Sequence, residues 1–235
     1  MNNLIKDYIK NTELDKQITD LSTITIDCDN DNDLVKKIFE SLDNDKNEDY
    51  YKGFYNFTIP KLGENGSCSM KTEFEQFDLT TVYGERSSTS DLHLWRLYQI
   101  INELQKLTNV DWLGIYKKTT YKNSNNENED CLLKLAYYGE FSRPIFPLTD
   151  YFQTISNNSW VGLNGKSKVI QSLATYEGVY YNCSDKVKSE ICIPIFDKNQ
   201  NVIGIIDAES WKDNHFSSKI LLEIVKVAIS LSNYL

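Results

Sequence analysis

Two apolar runs near the C-terminus, Glu190–Phe196 and Val202–Glu209, flank the polar pentapeptide Asp-Lys-Asn-Gln-Asn at 197–201, and no other segment constrains the fold as strongly. Branched side chains suit a pleated, half-buried surface, so two such runs around a turn-forming segment predict a β-hairpin. Side chains alternate between the two faces of a strand. Glu190 and Cys192 therefore share one face of the first strand, Ile191, Ile193 and Ile195 share the other, and Asp207 and Glu209 share a face of the second. With the turn centred between residues 198 and 200, Glu190 falls opposite a position between 207 and 209. Three carboxylates then converge. Such a set is tolerated at a solvated strand end, around a cation, or when one member keeps its proton.

The flanking segments give the rest of the architecture. Ser88, Thr89, Ser90 and Asp91 offer N-cap side chains ahead of Leu94, Leu97, Tyr98, Ile101 and Leu104, which recur at helical spacing. Residues 111–117 and 132–138 are rich in aromatic and branched residues, and read as two strands joined by a long polar loop over 121–130. Pro144 and Pro147 predict an irregular crossing, followed by a glycine-punctuated turn and a short strand over 168–171. A last helix, capped near Ser217, carries Ile220, Ile224, Val227 and Leu231 on one face, a stripe suited to the core or to a homodimer contact. The expected fold class is α+β, an antiparallel sheet with flanking helices over about 91–235. Residues 1–90 read as an N-terminal extension of unknown role that packs on this core, with helix-like stretches over 3–21 and 32–42 and a turn-rich segment over 63–68.

Charge and cysteine content narrow the function classes. With 25 basic and 34 acidic residues the formal charge is −9, which disfavours nucleic acid and anionic membrane surfaces as partners. No apolar run approaches a membrane span, the N-terminus lacks a signal-peptide layout, and the five cysteines make no disulfide framework, so the cytosol is the expected location. Asp29, Asp31, Asp33 and Glu40 have the spacing of a calcium loop, but Leu34 stands where glycine is needed. His93 and His215 are too far apart in sequence to suggest a triad or a zinc site, and no metal is expected.

Cys183 lies on the approach to the hairpin, with Lys186 and Lys188 placed to lower its pKa and the carboxylates placed to raise it. The run of Cys183, five residues and Ser189-Glu190-Ile191, then a strand, a turn and Val202-Ile203-Gly204-Ile205-Ile206-Asp207-Ala208-Glu209-Ser210, resembles the GAF-domain enzymes called free methionine-(R)-sulfoxide reductases. The likeness covers about residues 91–235 and is closest between 183 and 210.

The resemblance implies a GAF-like fold, Cys183 as catalytic thiol, and Glu190, Asp207 and Glu209 as acids that line the pocket and hold the substrate amine. Trp112 and Tyr116 resemble, more loosely, the aromatic residues of a pocket strand. It further implies L-methionine-(R)-S-oxide reductase activity on the free amino acid, with no bound cofactor and an external dithiol such as thioredoxin as reductant. Family members carry additional cysteines on the pocket lid. Here residues 148–165 contain none, and Asn158 or Ser159 falls near an expected thiol, so Cys192 or Cys68 is the candidate resolving thiol. The alternative reading is a non-catalytic GAF domain that binds a small polar ligand.

Overall fold

A computed structural model describes residues 2–18, 21, 33–41, 51–61, 70–178, 180 and 184–235. In chain order the main elements are α1 (Asn2–Asn11), α2 (Leu14–Gln17), α3 (Leu34–Glu40), β1 (Asn56–Lys61), β2 (Met70–Asp78), α4 (Thr80–Tyr83), α5 (Ser88–Thr108), β3 (Trp112–Lys122), β4 (Asn128–Tyr138), β5 (Ile145–Pro147), α6 (Asn157–Asn164), β6 (Lys168–Ile170), β7 (Ser189–Phe196), β8 (Val202–Ser210) and α7 (Ser218–Leu231).

Six strands form one antiparallel sheet in the order β5-β4-β3-β8-β7-β6, and β1 and β2 form a separate hairpin. The sheet divides the molecule into two unequal layers. On one side, Leu113, Ile115, Leu133, Ile191, Ile193, Ile195, Ile206 and Ala208 meet apolar residues of α5 and α7 in the large core. On the other, α6 packs over a smaller cluster that includes Trp112, Tyr116, Leu132, Phe146, Val161, Cys192 and Ile205. At Gly162 an added Cβ would lie 2.8 Å from Leu148, so the glycine lets α6 sit close to the sheet.

The β7–β8 hairpin forms as its sequence predicts. Its turn is fixed by Asp197, whose Oδ1 accepts from the backbone N–H groups of Asn199 and Asn201, each at 2.8 Å. Ser217 caps α7, accepting from Ile220 N, and the apolar stripe of that helix is buried within the chain.

Other boundaries differ from expectation, each for a local reason. Ser87 caps α5 in a reciprocal pair with Ser90, which leaves residues 88–91 inside the first turn. The polar stretch between β3 and β4 is mostly strand: pairing continues to Lys122↔Asn128, and Asn123 Oδ1 closes a tight turn by accepting from Asn125 N and Glu127 N. The crossing after Pro144 contains β5, paired at the sheet edge, and α6, where a turn was expected.

In the extension, the first helical stretch breaks at Glu13, which adopts a left-handed conformation with φ 61°. Helices α1 and α3 pack against α7, and the Tyr8 hydroxyl donates to the Pro194 carbonyl at 2.5 Å. Asp33 caps α3 and accepts from Ser230. Asp29 and Asp31, and the turn segment at 63–68, lie outside the described residues. Among the described residues no helix is long and apolar enough to cross a membrane.

Candidate functional site

Strand register builds the site in three rows on the α6 side of the sheet. The first row runs Trp112, Glu209, Glu190; the second runs Gly114, Asp207, Cys192; the third runs Tyr116, Ile205, Pro194. Glu190 therefore pairs directly with Glu209, and Asp207 faces Cys192, where the expected register placed Glu190 between 207 and 209. A bulge at Ile195/Phe196 accounts for the shift, since one extra residue moves every pair beyond it. Gly114 is needed in the second row: a Cβ there would lie 2.4 Å from the Trp112 ring, which folds across that position. Small residues on both sides of Asp207 leave the carboxylate room.

A narrow cavity of about 40 Å³ opens above these rows, space for a few water molecules. Its walls are the acids Glu190, Asp207 and Glu209, the aromatic residues Trp112, Tyr116, Phe146, Tyr180 and Trp211, the 140–143 segment, and the start of α6. Ser156 caps that helix by accepting from Ser159 N at 3.3 Å. The cap aims the next two side chains at the acids. Asn157 Nδ2 donates to Glu190 Oε1 at 3.1 Å, and Asn158 Nδ2 donates to Asp207 Oδ2 at 2.8 Å. The rim is tied together at Glu140, which pairs with Lys186, accepts from Ser184 Oγ at 3.2 Å, and through its carbonyl accepts from Trp112 Nε1 at 3.0 Å.

Glu190 and Asp207 are each only 4% exposed, too buried for a solvated strand end. Burial pushes the Glu190 carboxyl upward against the opposing hydrogen bonds from Tyr180 and Asn157. Asp207 is raised well above the usual carboxylate range by burial and then by the charge of Glu190. Glu209, partly exposed at the mouth, is raised by desolvation, Asp207, Glu190 and Glu140. Like charges in low dielectric do not ionise together, so the cluster holds a proton to higher pH than isolated carboxyls would. Asp207 Oδ1 is buried and has no hydrogen-bond partner among the described residues. An orphaned buried carboxylate oxygen is costly unless something donates to it. A donor entering the cavity, above all a cationic one, meets that need.

The structure thus brings together Glu190, Asp207, Glu209, Trp112, Tyr116 and Cys192. Cys183 and Cys68 lie outside the described residues. Cys192 is fully buried, and burial, Asp207 and Glu190 all push its thiol pKa up, so in this arrangement it lacks the thiolate character of an attacking sulfur. Asn157, Tyr180, Arg143 and Trp211 are wall residues that sequence reasoning missed. Asn158 stands near the position where the resemblance implies a thiol. The signal for both asparagines was present in Ser156-Asn157-Asn158-Ser159, an N-cap motif, with Gly165 at the far end of the helix. Among the described residues, no three His, Cys, Asp or Glu side chains are grouped to hold a metal ion.

No family model matches the sequence, and no curated protein matches it. Solved structures similar to the chain include type II free methionine-R-sulfoxide reductase from Thermoplasma acidophilum, with 19% identity, TM-score 0.48, and coverage of 62% of this chain and 93% of that one. The corresponding enzyme from Neisseria meningitidis, in complex with its substrate, has 18% identity and TM-score 0.43 over 64% of this chain and 92% of that one. The GAF domain of a phosphoenolpyruvate-protein phosphotransferase from Acinetobacter has 16% identity and TM-score 0.45 over 60% and 81%. The fold itself is α+β, one antiparallel six-stranded sheet with flanking helices.

Proposed function

We propose that the pocket holds a small ammonium-bearing ligand, a free amino acid, and that the protein reduces free L-methionine-(R)-sulfoxide with Cys183 as the attacking thiol. The observation that carries this reading is the Asp207 oxygen, buried and without a hydrogen-bond partner among the described residues, beside Glu190 and Glu209. An ammonium group supplies both the missing donor and the missing positive charge. Aromatic walls suit the methylene stem and S-methyl group of the side chain, and Arg143 brings the opposite charge that an amino acid's carboxylate requires. The cavity is too small for the whole ligand as it stands, so entry displaces the α6 asparagines from the acids.

Cys183 lies in sequence between Tyr180 and Ser184, both of which line the cavity. In the proposed reaction the Cys183 sulfur attacks the sulfoxide sulfur. A carboxyl of the triad delivers its proton to the sulfoxide oxygen and takes up the proton that the thiol loses. The hydroxyl passes to the cysteine sulfur as a sulfenic acid while the new sulfur–sulfur bond breaks and methionine leaves as the thioether. One thiol of an external dithiol such as thioredoxin condenses with the sulfenic acid, releasing water. The second thiol then resolves the mixed disulfide and restores Cys183. No bound cofactor is required.

One observation favours a binding module without turnover: the segment that covers the acids offers amides from Asn157 and Asn158, and no thiol. A thioredoxin-coupled assay with free methionine-(R)-sulfoxide separates the readings. Wild-type turnover that survives Cys192→Ser and Cys68→Ser but not Cys183→Ser is the expected result. Binding without turnover by the wild type supports the module, and absence of binding overturns both.

A further inference from the structure

Lys134 on β4 is fully buried, and among the described residues no carboxylate pairs with it. Burying a lone ammonium is expensive, so its surroundings require an explanation. Its Nζ donates to the Ser142 carbonyl at 2.8 Å and to Ser142 Oγ at 2.7 Å, while its backbone N–H donates to the Pro144 carbonyl at 2.8 Å. The same Nζ lies 4.2 Å from the Tyr137 ring centroid and 5.1 Å from that of Phe57, a residue of β1. Desolvation pushes the amine's pKa well down, yet either protonation state donates to Ser142.

These contacts run in two directions. Toward the pocket, the Tyr116 hydroxyl donates to the carbonyl of Arg143, the residue next to Ser142, at 3.5 Å, and Tyr116 is the cross-strand partner of Lys134. Toward the extension, Phe57 packs on Tyr137 at 5.7 Å between centroids, and Phe74 of β2 meets Phe141 edge-on at 5.6 Å. Phe141, Ser142 and Arg143 are consecutive residues of the cavity wall. The β1–β2 hairpin therefore touches that wall at Phe141 and, through Lys134, at Ser142.

The geometry points to the β1–β2 hairpin as a working part of the ligand site, with Lys134 as the positioning residue that sets the 140–143 wall. This gives the N-terminal extension a role in ligand affinity, and it rests on the reading of the cavity as a ligand site. A merely structural lysine would change stability and affinity together. A positioning lysine separates them, because Lys134→Met keeps the length and apolar contacts of the stem while removing both bonds to Ser142.

The test compares wild type with Lys134→Met, Ser142→Ala, the double variant, Phe57→Leu and Phe74→Ala. Each is followed by thermal melting, calorimetric titration with free L-methionine-(R)-sulfoxide, and hydrogen exchange of the peptide spanning 139–147. Lys134→Met is expected to bind about tenfold more weakly with an unchanged or raised melting temperature and faster exchange over 139–147. The double variant should be no worse than the weaker single one, because the lysine acts through Ser142. Phe57→Leu and Phe74→Ala should each accelerate the same peptide's exchange, and they test the hairpin should Lys134→Met fail to fold. Unchanged exchange of that peptide in all of the folded variants overturns the inference. If wild type binds no sulfoxide, the functional reading fails by itself, and the exchange data still decide whether hairpin and lysine set the wall.

Discussion

The two faces of the β7–β8 hairpin are built from alternate residues of the same strands and do opposite things. One face places Ile191, Ile193, Ile195, Ile206 and Ala208, all fully buried, against α5 and α7. The other places Glu190, Cys192, Asp207 and Glu209 beneath α6. Burial stabilises the first and strains the second, since apolar area removed from water is favourable and a desolvated carboxylate is not. A fold tolerates the second face when the first supplies the surplus. Stability and function should therefore separate by residue parity along one strand.

The sharpest way to break that comparison is Ile193→Ala. Removing three carbons from a fully packed site should destabilise the protein by about 4 kcal/mol, read as a lower urea midpoint with little change in slope. The fraction that remains folded should bind ligand as before. Loss of affinity in folded Ile193→Ala molecules would show that the two faces are coupled.

The complementary change is Asp207→Asn. It should weaken binding of free methionine-(R)-sulfoxide about 100-fold, near 3 kcal/mol, because it removes the charge that pairs with the ammonium. The ligand-free protein should become more stable, since a buried charge shared with Glu190 and Glu209 has been neutralised. A variant less stable than wild type, with binding intact, would show that Asp207 is a structural residue.

The pH dependence follows from the same cluster. Glu190, Asp207 and Glu209 all have folded-state pKa values raised above their ordinary ones. From about pH 4 up through those raised values the folded chain holds more protons than the unfolded one. Stability of the ligand-free protein should then fall as pH rises, by about 1.4 kcal/mol per unit for each proton retained. Melting temperatures should be higher at pH 5.5 than at pH 8, and Glu190→Gln or Asp207→Asn should flatten the slope. A flat wild-type profile would mean that the cluster holds no extra proton.

How far the sequence reveals each face depends on how periodic its signal is. The hairpin, α5 and α7 are legible because apolar residues recur at period 2 or 3.6 over long segments. Face-sharing by Glu190, Asp207 and Glu209 was legible for the same reason, whereas their pairing was not, because the bulge at Ile195/Phe196 leaves no compositional mark. The β1–β2 hairpin was missed because residues 73–78 of β2 are mostly charged or polar and only Phe77 packs against the core, and Pro60 interrupts β1. Helix α6 was missed because asparagine is a weak helix former and Gly162 sits inside it, so its formation depends on packing over the sheet.

That dependence yields the smallest effect. Ser156 is the one residue that fixes the start of α6 and hence the aim of Asn157 and Asn158. Ser156→Ala should cost about 1 kcal/mol, the usual worth of an N-cap. Most of that loss should be local, because α6 covers the small cluster while the large core lies beyond the sheet. Amide exchange over 157–161 should accelerate about fivefold while that of β7 and β8 stays unchanged. With the asparagines loosened, less has to be undone when a ligand displaces them, so affinity for the sulfoxide should hold or rise slightly even as the helix frays. Equal acceleration in β7 and β8 would instead make the cover of the acidic face part of the same cooperative unit as the apolar one, and the two faces would no longer separate.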